Sequence, residues 1–234
     1  MPQSNASDPG SSAGLMYQWI LAGLVSASAR FIPIPFVDDL VRGRCRRFVI
    51  SRTLAAHHAS AQLDTLKPFY GDRGGCIGGC AGTIVRAPLK LLLFPIRKVV
   101  TIATSVRGVP LEVLQLVLLG RTLDRYLGDN RPESGSLPAA QMREAFDDAF
   151  ARMDFRVVRA AIADALSSVS GWKSAATQTA EKVADPNESN ENLRAPEEVQ
   201  SGAAEIQRVL DGPETAKLFA EFDARFDTAL RQLG

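Results

Sequence analysis

Apolar residues in this chain concentrate in three segments, 14–25, 84–106 and 109–119, each longer than the four to eight residues a buried strand needs. Pro88, Pro95 and Pro110 punctuate the second and third segments. The β-branched runs that mark strands are short, whereas Ala, Leu, Arg and Glu are abundant, so helix is favoured throughout. The predicted fold class is all-α: a multi-helix bundle of Pro- and Gly-punctuated apolar helices, followed by an acidic, amphipathic helical part. With 46% hydrophobic and 23% charged residues, the chain has the make-up of a globular protein and length enough to bury a core.

A formal charge of +1 conceals a division along the chain. Residues 31–131 hold 15 Lys or Arg against 7 Asp or Glu, a net of +8, while residues 132–234 hold 11 against 18, a net of −7. Local fields therefore say more about partners than the total does. Cys45, Cys76 and Cys80 form no secreted-scaffold pattern and suit a reducing compartment. A polar stretch without Lys or Arg precedes the first apolar segment, which argues against a secretory signal.

Five parts are expected: residues 1–13 disordered, 14–130 a basic apolar helical domain, 131–184 acidic amphipathic helices, 185–196 a flexible linker, and 197–234 a C-terminal helical pair. Residues 10–29 carry no formal charge. Their length permits a membrane span, but Gln18 and the small Gly and Ser residues allow a buried core helix or an interfacial helix equally. Two prolines in residues 31–39 break the helical path, and Asp38 or Asp39 suits an N-cap for a helix over 39–66. One side of that helix carries Leu40, Val41, Cys45, Phe48, Val49 and Leu54, and much of the rest is arginine. A helix from Pro110 to about Leu127 is apolar nearly all round, hence buried in protein or in lipid. Later helices are predicted from about Pro138 and from Asp154 (carrying Val157, Val158, Ile162, Leu166 and Val169), then over 197–210 and, capped by Asp211, over 213–232.

The glycine-rich stretch 71–82 fails as a phosphate cradle, because neither Gly-x-Gly-x-x-Gly nor a following Lys-Ser or Lys-Thr is present. Gly74, Gly78 and Gly82 recur every four residues, which on a helix forms a groove for close helix packing; a flexible loop is the competing reading. Cys76 and Cys80, even with His57 or His58, lack a usual structural zinc spacing, and small buried thiols account for them better. The two histidines share one helix with Ser51, Ser60 and Asp64, whereas catalytic triads converge from separate elements. No catalytic residue, metal site or cofactor is expected.

The arginine cluster reads as a solvated face, a nucleic-acid surface or a membrane-surface patch. Recognised nucleic-acid folds and interleaved aromatics are missing, so no nucleic-acid partner is expected. Basic residues recur around apolar ones at Arg86, Lys90, Arg97 and Lys98, which favours an anionic membrane surface. The expected contact set is Arg42, Arg44, Arg46, Arg47, Arg52, Lys90, Arg97 and Lys98.

Residues 27–39, with Pro33-x-Pro35-x-x-Asp38, resemble the lead-in of the YcjF-like and EcsC-like groups of bacterial proteins. There, a small-residue helix precedes the motif, and a helical pair with glycine-rich apolar segments follows. Residues 71–82 and the helix ending in Leu119-Gly-Arg-Thr122 are similar in order, so the resemblance spans about residues 20–127. It implies membrane association and a bacterial source, and it supplies no catalytic residue. Together these readings point to a non-enzymatic scaffold or adaptor at the cytoplasmic leaflet, peripheral or shallowly inserted, with an unidentified protein partner. The alternatives are a soluble all-α interaction module and a carrier of a small ligand or lipid.

Overall fold

The computed structural model describes residues 9–71, 108–129, 139–185 and 193–233. They form helices joined by turns and short irregular links: α1 (Pro9–Ser28), α2 (Val37–Ala56), α3 (Lys67–Tyr70), α4 (Val109–Asp129), α5 (Ala139–Ala151), α6 (Arg156–Ser167), α7 (Trp172–Ala184), α8 (Glu197–Leu210) and α9 (Pro213–Leu233). Among the described residues there is no strand. The predicted all-α bundle is the observed fold.

The charge-free helix α1 is the bundle's central post. It packs against α2, α4, α7 and α8, and Ile20, Ala22, Leu24, Val25 and Ala27 are wholly buried. Three of its polar side chains are matched inside the protein: Ser26 donates to Glu112, Ser28 bonds back to the Leu24 carbonyl, and the Trp19 indole N–H reaches Thr53 at 3.1 Å. Of the three readings open for this segment, the core helix is the observed one. None of the described helices is long and apolar enough to cross a membrane.

Helix α4 is buried in protein, with Val113, Leu114, Leu116, Val117 and Leu118 fully enclosed against α1, α2 and α6. Glycine sets how near α1 and α4 come. A Cβ at Gly23 would fall 2.8 Å from the Val113 Cα, and one at Gly120 would fall 2.4 Å from the Trp19 indole. The sequence places close packing of this kind at Gly74, Gly78 and Gly82, which lie outside the described residues, as do Cys76 and Cys80.

The two halves of the chain share one continuous core. Helices α5 and α9 pack together through Phe146 and Phe222, whose rings meet edge-on at 5.4 Å. Arg143 on α5 donates to the carbonyls of Pro68 and Phe69, which ties that pair to α3. On the other side Arg121 and Arg125 of α4 bind Asp223 and Asp227 of α9 at 2.8 and 2.6 Å. Basic and acidic parts of the chain thus meet inside one bundle.

Several local expectations need correction. The helix predicted over 39–66 stops at Ala56: His57 caps it, and His58 takes a left-handed φ of 54°, so the chain turns there. Neither Asp38 nor Asp39 is the N-cap. Phe36 holds that position at φ 68°, and the two carboxylates lie in the first turn, where their charge complements the positive end of the helix dipole. Leu40, on the apolar side of α2, and Val157, in the first turn of α6, are exposed. Helix α1 begins at Pro9, inside the N-terminal stretch expected to be disordered. Helix α7 has no separate signal in the sequence pattern; it starts where Gly171 adopts φ 76°, a conformation costing glycine little. Asp154 does engage the start of α6, accepting the Arg156 backbone N–H, while the Arg156 guanidinium holds its carboxyl down at about 2. For α9 the first helical bond is taken by the Gly212 carbonyl, one residue beyond Asp211.

Candidate functional site

The corner between α1 and α2 is where the sequence motif, exposed apolar surface and buried charge coincide. Pro33 and Pro35 fix their own φ and push the residues before them towards extended backbone, so α1 cannot run on into α2. Ile32 is extended (φ −77°, ψ 120°) and buried, pinning the corner to the core. Residues 33–36 then face solvent, with Phe36 76% and Ile34 54% exposed. Leu40, one turn into α2, extends the same patch at 44% exposure. A bulky residue at positive φ is uncommon and costs of order 1 kcal/mol or more, so Phe36 is held outward against a local penalty.

Around the same corner lies a charge cluster built from α1, the 3₁₀ turn Ala29–Phe31 that follows it, α2 and α4. Glu112, in the first turn of α4, is buried. Its carboxylate accepts from the Ser26 hydroxyl at 2.9 Å and from Arg42 Nε at 3.1 Å, and Arg30 Nη2 approaches at 3.9 Å. Arg42 also bonds Asp39 at 3.1 Å. Burial lowers the Arg30 pKa, and the charge of Glu112 works against that shift. The Cys45 thiol is fully buried, and burial with the nearby Glu112 pushes its pKa far up, so it stays protonated and inert. Arg30 rests on the backbone of Gly108, where a Cβ would come within 2.1 Å of its Nη1.

The arginines expected to face a membrane are engaged within the chain. Arg42 serves Glu112 and Asp39. Arg44 reaches across to α7 and donates to the carbonyls of Val183 and Asp185, capping that helix's C-terminus. Arg46 bonds Gln115 of α4 at 3.3 Å, Arg47 lies 5.9 Å over the Tyr70 ring, and Arg52 lies 5.3 Å over Phe48. Four of these five are half-buried, and only Arg47 is exposed. Lys90, Arg97 and Lys98 lie outside the described residues. Since charge-assisted bonds contribute about 1.5–3 kcal/mol, Arg44→Ala is expected to lower stability by about 1–2 kcal/mol in urea unfolding, with α7 fraying first in amide exchange.

A second polar pair sits at the far end of α2. His57 Nε2 lies 2.8 Å from Asp124 of α4, and both are half-buried. The geometry suits a base and its orienting acid, yet among the described residues no hydroxyl or thiol hydrogen-bonds the ring; Ser51 is committed to the Phe48 carbonyl. Nor do three His, Cys, Asp or Glu side chains gather as a metal would require, among the described residues. The groove between α5 and α9 is lined by ion pairs already satisfied within their own helices, Arg152 with Asp148 and Arg225 with Glu221. Sequence reasoning does not single out Asp124, Glu112, Ser26 or Arg30 as members of a site. For two of them a faint signal is present: Glu112 is an isolated acid in an apolar helical stretch, and Ser26 follows the apolar run 19–25.

No protein-family model, no curated protein and no solved structure matches this chain.

Proposed function

We propose that this chain is a non-enzymatic helical scaffold that docks on the anionic cytoplasmic leaflet by one end of its bundle. The observation that carries this reading is where residues 72–107 join the bundle. Before them, the Tyr70 carbonyl lies 3.4 Å from the Cβ position of Gly43, in the second turn of α2; after them, Gly108 lies against Arg30. The residues on either side of them thus pack on the second turn of α2 and on Arg30, and the exposed Ile34, Phe36 and Leu40 lie between those two positions in sequence. The sequence of residues 72–107 is both apolar and basic, carrying Arg86, Lys90, Arg97 and Lys98 among Leu, Ile, Val and Phe. Apolar surface with interspersed cations is the composition that binds anionic lipid, each Lys or Arg near the surface adding about 1 kcal/mol. The acidic α5, α8 and α9 would stay in water, available to a protein partner. Vesicle flotation tests this. The intact protein is expected to float with vesicles containing anionic phospholipid and to be largely released by high salt. Recovery at the bottom of the gradient with every lipid composition would remove the proposal.

A soluble all-α interaction module is the second reading. It is favoured by the internal engagement of Arg42, Arg44, Arg46, Arg47 and Arg52, which accounts for the basic face of α2 through the bundle's own contacts. A compact chain indifferent to vesicles would select it.

A further inference from the structure

We draw no further inference here: the strongest candidate, the surface groove between α5 and α9 floored by Ala149 and Ala229, has its Arg152 and Arg225 already paired with Asp148 and Glu221 on their own helices, and nothing in the structure shows what covers it.

Discussion

Gly23→Val is expected to destabilise the protein by about 3 kcal/mol, among the largest losses of any exchange in the bundle. The first added carbon would lie 2.8 Å from the Cα of Val113, a backbone atom that no rotamer change can move, so α1 and α4 must part. Parting them opens the core along Leu24, Leu114 and Val117, all wholly buried. Gly23→Ala sharpens the test. In a solvent-facing helix Gly→Ala gains about 1 kcal/mol from backbone propensity, and here the contact should reverse that sign. Gly120→Ala meets the Trp19 ring at 2.4 Å and should behave likewise. Urea unfolding with an unchanged m-value would read all three, and a stabilised Gly23→Ala protein would mean the helices are further apart than described.

Glu112→Ala is expected to lower stability by a similar amount, about 3 kcal/mol, by a different route. Removing one partner of a buried ion pair costs about 3–5 kcal/mol because the charge left behind is uncompensated. Arg42 keeps Asp39 as a partner and is 28% exposed, which places the loss at the lower end of that range. Arg30 and Arg42 would then repel each other across the vacated position, and Ser26 would lose its acceptor. Glu112→Gln keeps an acceptor for Ser26 and should lose less. Because Arg30 also seats Gly108, the alanine variant should loosen the corner and the α4 start before the α5–α9 pair, an order that amide exchange can read. A loss below about 1 kcal/mol, the range of a solvent-screened pair, would show that water reaches this cluster freely.

How far the sequence disclosed this structure depended on whether the physics was local. Helices α8 and α9 begin within a residue of expectation, since their Phe, Leu and Ile stripes repeat at helical spacing and Pro213 marks a first turn. The apolar circumference of α4 correctly required burial, and no local pattern could tell protein from lipid there; only its packing on α1, α2 and α6 decides it. The arginine face of α2 misled for the same reason. A helical wheel shows Arg44 and Arg46 as surface, because their partners, the Val183 and Asp185 carbonyls and Gln115, arrive from distant parts of the chain. His57 paired with Asp124 is likewise invisible until α2 and α4 are side by side. The corner itself was legible as a break, through Pro33 and Pro35, while its exposure was not: Ile and Phe at alternate positions read equally well as core.

The claim on which the functional account turns is that one end of the bundle, and not its acidic flank, meets lipid. Hydrogen exchange of the intact chain, free and bound to anionic vesicles, addresses it directly. Protection is expected to rise over residues 31–42 and the first turn of α4, with α5 and α9 unchanged. Protection centred on α5, α8 or α9 with the corner unaffected would contradict it.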